Sequence, residues 1–355
     1  MLGASWGSAI AIVGYLIIPG NHSNPPLQND ALPPSPTTGS SSSILHPDPE
    51  KTALVPSGTS TIPFFPQTIT LPPVPNSTSQ ASHPSTSATS DALPAGLPTA
   101  PSTTDYQLLG LGIRTVTFLR IQVYVVGLYI ATADLSALQE RMVRSIAGEG
   151  ASTLVAHEKE DLARQLTDPE ASERIWREVV SSPGQIRSVI RIVPTRPTDY
   201  GHLKEGWVRG LTARGVGKGF EVKQEWDKRI TEFKAIFGGR GKLGKGKAML
   251  LGRGADGGLG VWVEAASEAS KSVTEIQNAA LAVGDGQVQK KAQAVDQNRA
   301  MEYLGGVMDP RVGNLIWMGY VAGGNVASEG ARKSVVAGVR ELVERPVGTV
   351  ETMVV

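Results

Sequence analysis

Segments with the composition of β-strands open the globular part of the chain. Residues 106–116 and 122–131 are rich in Val, Ile, Leu and Tyr, the residue types that favour strands. Residues 186–193 alternate apolar and polar side chains, which predicts a half-buried strand with one side facing solvent. Residues 247–252 and 259–264 lie on either side of an Asp-Gly turn signal and predict a β-hairpin.

Apolar residues at helical spacing lie between and after these strands. They predict helices over residues 135–146, 158–165, 171–180, 202–214, 221–237, 314–320 and 329–343. The dipeptide Asp168-Pro169 separates the second helix from the third. Because strands and helices mix without a strict strand–helix–strand repeat, the predicted fold class is α+β.

The first hundred residues differ in composition from the rest. Residues 2–18 are apolar and uncharged, and three interpretations remain open: a membrane anchor, the apolar part of a targeting signal, or the remnant of a longer N-terminal segment. Length and hydropathy favour the anchor. Residues 19–105 hold 18 of the 24 prolines and many Ser and Thr residues, which predicts a disordered linker without chemistry. The globular domain is then predicted over residues 106–355, with an insertion near residues 265–299 that lacks large apolar side chains.

Composition excludes several classes of site. A formal net charge of +1 gives no reason to expect a nucleic-acid partner. The chain contains no cysteine, which excludes thiolate metal sites and cysteine nucleophiles, and with five histidines we expect no metal site. Residues 239–244, GRGKLG, match the Gly-x-Gly-x-x-Gly phosphate-binding pattern. They follow a predicted helix and precede a predicted strand, so we interpret them as a loop.

Arg114 is the candidate binding residue that the pattern itself singles out. It lies between Ile113 and Thr115 in an otherwise apolar predicted strand, where an unpaired cation is costly to bury. Three interpretations remain open: Arg114 faces solvent, pairs with a carboxylate, or lines a cleft in which it meets a ligand anion.

A second candidate cluster is the run TDYGHLKEGWVR over residues 198–209. His202 and Glu205 are three residues apart and share one face of the predicted helix. The favoured interpretation is an amphipathic helix with a surface histidine. The other, in which a histidine and aromatic side chains face a pocket, also remains open.

Two strand motifs then suggest a family. The run GLGIR over residues 110–114, followed by IQVYVVGLY over residues 121–129, resembles the first two core strands of chalcone-isomerase-like proteins. Residues 203–214, 233–250 and 328–336 continue the resemblance in the right order, so that it covers most of residues 105–355. The runs IVPTRPTDYGHL and ERPVGTVE resemble a fungal mitochondrial subgroup of this family rather than the plant enzymes.

The resemblance implies an open-faced β-sandwich, in which helices cover a large antiparallel sheet and a ligand cleft lies between them. In the catalytic plant members a phenolate oxygen adds to an enone, and a strand arginine stabilises the developing charge. Arg114 matches that arginine. The other site positions fall near Tyr124, Tyr200, Trp207 and Tyr320, which would line the cleft but would not reproduce the plant hydrogen-bond network.

Two functional hypotheses follow from the resemblance. The preferred one is a protein that binds a small hydrophobic or aromatic anion, such as a fatty acid or a haem-like molecule, through Arg114. No cofactor is required; in the haem variant His202 is the expected axial ligand, beside His157 as a second candidate. The alternative is an intramolecular lyase that closes a ring in a chalcone-like enone, with Arg114 as the catalytic anion-stabilising residue. The resemblance also implies a mitochondrial location, with the N-terminal segment as an inner-membrane anchor.

Overall fold

The computed structural model describes residues 54–75, 103–116, 121–182, 184–215, 220–265, 300–344 and 346. The strands in this part are β1 (Leu54–Pro56), β2 (Phe64–Pro66), β3 (Thr68–Leu71), β4 (Thr104–Val116), β5 (Ile121–Ala131), β6 (Ser188–Pro194), β7 (Thr198–Asp199), β8 (Lys242–Leu243), β9 (Met249–Arg253), β10 (Leu259–Glu264) and β11 (Met301–Val307). The α-helices are α1 (Leu135–Ala147), α2 (Ala156–Thr167), α3 (Pro169–Ser181), α4 (Tyr200–Arg214), α5 (Phe220–Ala235), α6 (Pro310–Val321) and α7 (Glu329–Leu342). A 3-10 turn, Thr132–Asp134, leads into α1.

A seven-stranded sheet forms the centre of the described structure. Its strand order is β11–β10–β9–β6–β5–β4–β3, and every neighbouring pair is antiparallel. Together with the helices it makes an α+β fold, which confirms the predicted class. The predicted hairpin also forms, because β9 and β10 pair in register from Met249↔Val263 to Arg253↔Leu259.

The helices cover one face of this sheet. Along β5 the side chains of Tyr124, Val126 and Leu128 join the core that the helices build. Val125 and Tyr129, at alternate positions, join a second core on the opposite face. Both faces of the central strands are therefore buried.

Residues 54–75 supply the cover of the second face, so within this range the prediction of a disordered linker, made for residues 19–105, is wrong. Phe65 is fully buried, and Ile69 and Leu71 are buried beside it. The guanidinium of Arg191 lies 4.6 Å from the centroid of the Phe65 ring. The surrounding prolines hide this signal in the sequence, because proline is tolerated in edge and short strands even though it depresses strand propensity.

The same cover corrects a second prediction. All residues of β6 are buried, whereas the alternation over residues 186–193 predicted a strand with one solvent-facing side. Its serine and arginine positions, Ser188 and Arg191, are buried as well. Arg191 lies on the same side of β6 as Val189 and Val193, so a polar side chain in an alternating pattern can face a second core rather than solvent.

The predicted helices all form, most with longer bounds than the pattern indicated. Asp168 caps α3 by accepting hydrogen bonds from the backbone of Glu170 and Ala171, at the predicted break. The predicted loop over residues 239–244 contains the two-residue strand β8, which pairs with β7, and β9 follows it. A strand-to-helix turn, which a dinucleotide site needs, is thus absent from this described segment.

Helix α7 lies directly on β4 and sets the position of Arg114. A Cβ atom added to Gly112 would lie 2.2 Å from the backbone nitrogen of Ala331. Ser328, which caps α7, donates a hydrogen bond from Oγ to the carbonyl oxygen of Ile113 at 2.8 Å. The glycine permits this close approach, and the cap fixes the start of α7 beside Arg114.

Some predictions fall outside the described residues. These are the apolar segment 2–18, the linker over residues 19–53 and 76–102, and the insertion over residues 266–299. In the part that the structure does describe, we find no helix with the length and apolar character needed to span a bilayer.

Candidate functional site

Arg114 lies near the end of β4, on the side of the sheet that the helices cover. It is half-buried, and its direct neighbour across the sheet is Tyr124 on β5. Arg114 donates a hydrogen bond from Nη1 to the carbonyl oxygen of Ala327, in the connection between α6 and α7, at 2.5 Å. The guanidinium therefore spans the gap between the sheet and the start of α7.

Three aromatic side chains form a hydrogen-bonded chain next to Arg114, and we call them the aromatic network: Tyr124, Trp207 and Tyr320. The hydroxyls of Tyr124 and Tyr320 lie 3.2 Å apart, and either one can be the donor. The indole nitrogen of Trp207 donates to the hydroxyl oxygen of Tyr320 at 3.0 Å. The network thus joins β5, α4 and α6 at one point of the core.

Burial sets the electrostatics of this network. Desolvation raises the pKa of Tyr124 well above its ordinary value, and the neighbouring hydroxyl of Tyr320 raises it further, whereas Arg114 acts in the opposite direction. Burial also raises the pKa of Tyr320, against the opposing effects of its hydrogen bonds to Tyr124 and Trp207 and of the charge on Arg114. Both hydroxyls are therefore neutral near pH 7, and they act as hydrogen-bonding groups rather than as phenolates.

The side chains of the network are packed tightly. Their exposed fractions are 4% for Tyr124, 9% for Trp207 and 1% for Tyr320. Trp207 also contacts Phe233 and Phe237, with ring centroids 6.2 and 5.6 Å away. The interior side of the site is thus filled by the protein's own aromatic rings.

The partners of Arg114 are uncharged, in contrast to those of Arg187. Arg187 binds the carboxylate of Asp134 through two nitrogens, at 2.9 and 2.7 Å. Within the described ranges no carboxylate forms an ion pair with Arg114, whose contacts are the carbonyl of Ala327 and the hydroxyl of Tyr124. The site therefore presents a half-buried cation to which this part of the chain supplies no counter-charge.

Tyr200 lies one layer away from the other predicted site residues. Its ring packs against Phe237 with centroids 6.4 Å apart, and burial raises the pKa of its hydroxyl. Trp207 contacts the same phenylalanine. Among the described contacts Tyr200 has no hydrogen bond to the aromatic network, so it supports Trp207 indirectly.

The histidines proposed as haem ligands do not face this site. His202 is exposed on α4, whereas Leu203 and Trp207 of the same helix are buried. His157 is exposed on α2. An axial ligand to an enclosed haem must point inward, so the exposed position of His202 gives the haem variant no support. The described residues contain no cluster of three His, Cys, Asp or Glu side chains that could hold a metal ion.

Sequence reasoning missed the carbonyl of Ala327 and the cap at Ser328. The helix predicted over residues 329–343 already begins where α7 does, and a serine directly before a helix is a typical cap, so this signal could have identified Ser328. The contact of Arg114 with Ala327 spans 213 positions of the chain, and only the tertiary structure reveals it.

Comparisons with known proteins give a consistent picture. The family model described as chalcone isomerase like matches residues 104–336. Altered inheritance of mitochondria protein 18, a mitochondrial protein by name, is 28% identical in Debaryomyces hansenii over 232 residues, which are 65% of this chain and 65% of the relative. The protein of the same name in Eremothecium gossypii is 32% identical over 169 residues, 46% of this chain and 53% of the relative. The chain thus matches 53 to 65% of the length of these relatives.

One solved structure that matches is the crystal structure of an Arabidopsis thaliana fatty-acid binding protein. It has a TM-score of 0.43 and 15% sequence identity, and the match covers 68% of this chain and 91% of that one.

Proposed function

The chain belongs to the chalcone isomerase-like family, and from that premise we propose that it binds a small hydrophobic or aromatic anion whose charged group is received by Arg114. The resemblance predicted from residues 110–129 is confirmed at the level of the family, and the relatives are the predicted fungal mitochondrial subgroup. The observation that carries the proposal is a half-buried guanidinium without a carboxylate partner among the described residues.

The chemistry of the guanidinium favours an oxyanion ligand. Arginine has five N–H donors in a planar fork and stays charged at every physiological pH. The carbonyl of Ala327 and the hydroxyl of Tyr124 are neutral acceptors, so they leave the charge uncompensated. A carboxylate can accept two parallel hydrogen bonds from the fork and neutralise it, which is the arrangement that stabilises such a cation best.

The surroundings of Arg114 favour a ligand with an apolar part. Half-buried apolar side chains lie at the same end of the β4–β5 hairpin, namely those of Val116, Ile121 and Val123. Covering them would remove further apolar surface from water, at about 25 cal/mol per Å². The filled interior limits how deeply a ligand enters unless Tyr124 and its partners move aside.

Binding rather than catalysis is the preferred function, because the hydroxyls beside Arg114 are already engaged in hydrogen bonds within the aromatic network. Ring closure of a chalcone-like enone needs hydrogen bonds that orient the reacting groups while Arg114 stabilises the developing charge. Tyr124 and Tyr320 are instead hydrogen-bonded to each other, and their raised pKa values keep them neutral. The lyase alternative is the competing hypothesis, and a kinetic assay distinguishes it from binding.

The location follows from the relatives. Those reported above carry mitochondrial names, and we propose the same compartment for this protein. The apolar residues 2–18 would hold the domain beside the inner membrane by a short anchor.

Native mass spectrometry of the full chain tests the binding proposal. We expect the wild-type protein to retain a small acidic molecule, and the variant Arg114→Gln to lose it because the cation is gone. Arg114→Lys keeps the charge and should retain part of the ligand. Arg174→Gln, at an exposed position of α3, is the matched control and should behave as wild type. Equal occupancy in all four proteins, or none in any, would contradict the proposal.

A kinetic assay separates the lyase alternative. With naringenin chalcone as the probe, we expect cyclisation at the rate of buffer for wild type and for Arg114→Gln alike. An acceleration by wild type that Arg114→Gln abolishes would assign catalysis to the site and refute a purely binding role.

A further inference from the structure

A cavity lies where α3, α4 and α6 meet, and it shares no residue with the Arg114 site. Its volume is about 250 Å³. Its lining brings together three guanidinium groups, one amide and an apolar part, from Arg177, Arg214, Arg311, Asn314, Leu315 and Met318. Among the described residues that line it there is no carboxylate, so all its charged groups are cations.

Arg311 is held in a fixed orientation by groups outside the cavity. Its Nη2 atom donates to Asp309 at 2.5 Å and to Glu225 at 2.9 Å, and its Nε atom donates to Asp309 at 2.9 Å. The guanidinium also lies 5.6 Å from the ring centroid of Trp226. None of the described hydrogen bonds of Arg311 uses Nη1, which leaves this end of the fork available to a ligand.

Arg214 and Arg177 share one carboxylate behind the cavity wall. Arg177 donates to Glu173 at 2.7 Å, and the Nε atom of Arg214 lies 3.5 Å from the other oxygen of the same carboxylate. This Nε atom is buried and has no hydrogen-bond partner in the described part of the chain. Arg214 also donates from Nη2 to the carbonyl of Ala322 at 2.8 Å. One carboxylate thus serves two guanidinium groups, and positive charge remains on this side.

Asn314 adds a neutral donor to the lining of the cavity. Its Oδ1 atom accepts a hydrogen bond from Nη1 of the buried Arg253 at 2.6 Å. Because arginine can only donate, this contact fixes the amide with its oxygen toward Arg253. The Nδ2 group of Asn314 is then the part that it can offer to a ligand, as a donor.

We propose that this cavity binds a phosphate group. Phosphate has oxygens enough to accept hydrogen bonds from Arg177, Arg214, Arg311 and the amide of Asn314 together, and arginine forks match its geometry. The carboxylates behind the wall orient the arginines without entering the cavity. The apolar side chains of Leu315 and Met318 suit the carbon atoms attached to the phosphate, so the ligand is a phosphate monoester, either in solution or as a lipid headgroup.

Calorimetric titration of the full chain with glycerol 3-phosphate tests the site. Arg177 is 55% exposed and its replacement leaves the core intact. We expect Arg177→Gln to weaken binding by about tenfold, the value of one charge-assisted hydrogen bond. Arg174→Gln, three residues earlier on α3 and outside the cavity lining, should bind as wild type does.

A second variant places a negative charge in the cavity itself. Asn314→Asp retains an acceptor for Arg253 and repels phosphate, so it should abolish binding. Arg114→Gln should bind glycerol 3-phosphate as wild type does, which separates this site from the one proposed above. Equal affinities for wild type, Arg177→Gln and Asn314→Asp would overturn the proposal. So would a wild-type protein that binds neither glycerol 3-phosphate nor vesicles that contain phosphatidic acid.

Vesicle sedimentation identifies the source of the phosphate. Phosphatidylcholine vesicles with and without phosphatidic acid are the probes. Binding of phosphatidic acid that Arg177→Gln weakens, without binding of glycerol 3-phosphate, assigns the cavity to a lipid headgroup. Binding of glycerol 3-phosphate that Arg177→Gln weakens, without binding of phosphatidic acid, assigns the cavity to a soluble monoester.

Discussion

Among single residues, Tyr320 has the most connected hydroxyl of the site. It accepts from Trp207 and shares a hydrogen bond with Tyr124, and it is 1% exposed. Tyr320→Phe removes that oxygen and leaves the indole N–H of Trp207 buried without its acceptor. We expect the free energy of unfolding to fall by about 1–3 kcal/mol, measured by urea denaturation.

Tyr124→Phe is the comparison for this prediction. It leaves the bond between Trp207 and Tyr320 intact, so it should cost less than Tyr320→Phe. If Tyr320→Phe were as stable as wild type, the aromatic network would not contribute to the core as we describe it.

The hydroxyl of Tyr106 makes the stability of the protein depend on pH in the alkaline range. Burial raises the pKa of its hydroxyl to about 12, against an opposing effect of Arg187. The folded state therefore holds this proton more tightly than the unfolded chain does. The resulting stability is complete below about pH 10 and is lost between about pH 10 and about pH 12.

Comparison with Tyr106→Phe isolates this effect from other titrating groups. Relative to the variant, wild type should lose about 2 kcal/mol of unfolding free energy between about pH 8 and about pH 11.5. Urea denaturation at the two pH values measures the difference. An unchanged difference between the two proteins would show that Tyr106 ionises normally.

His202 is exposed and Trp207 is buried on the same helix, and this contrast shows what the spacing of residues along a helix can and cannot predict. The residues are five positions apart, so on an α-helix they point about 140° away from each other. A pocket that contains Trp207 therefore excludes His202, and only the structure decides which of them faces the core. The surface interpretation of His202 that the pattern favoured is confirmed.

At the scale of secondary-structure elements, the short strands of residues 54–75 are part of the folded domain. Phe65 is fully buried, and the hydroxyl of Tyr129 donates to the carbonyl of Pro66 at 2.7 Å. We expect Phe65→Ala to lower the unfolding free energy by about 3–5 kcal/mol, because it leaves a cavity beneath the sheet. Phe64→Ala changes a half-buried neighbour and should cost clearly less. Chemical denaturation measures the unfolding free energy of both variants. If Phe65→Ala were as stable as Phe64→Ala, residues 54–75 would pack only loosely on the sheet.

The contact of α7 with β4 gives a second prediction for elements. Gly112→Ala would bring a Cβ atom within 2.2 Å of backbone that cannot move without shifting α7, so we expect a loss of about 1–3 kcal/mol. Gly206→Ala, on α4, meets nothing within 4 Å and should raise stability by up to about 1 kcal/mol. Thermal and urea unfolding of the two variants should therefore shift in opposite directions. A shift in the same direction would contradict the close approach.

These elements also show the limits of pattern analysis. The alternation over residues 186–193 identifies the strand β6, but it cannot reveal that the second face of the sheet has its own cover. The strand β11 was missed because adjacent glycines, Gly305 and Gly306, weaken its strand signal. The first error concerns a cover that is distant in sequence, whereas the second has a local cause.

For the whole molecule, fold and site were predictable to different degrees. The family follows from local motifs, since residues 110–129 contain both the glycine that permits α7 to approach and the arginine beside it. The partners of Arg114 lie on β5 and in the connection after α6. The connection is distant from Arg114 in sequence, and only the complete fold brings it close. The family resemblance predicted Tyr124 and Tyr320 as site residues but not their hydrogen bond to each other.

The central claim is that the charge of Arg114 recognises an anion. Its most direct test compares two probes of nearly equal shape, dodecanoate and dodecanol, by calorimetric titration of the full chain. We predict that wild type prefers dodecanoate by about tenfold or more, as one charge-assisted hydrogen-bonded pair should give, and that Arg114→Gln abolishes the preference. Equal affinity of wild type for the acid and the alcohol, or a preference that survives in Arg114→Gln, would contradict the account.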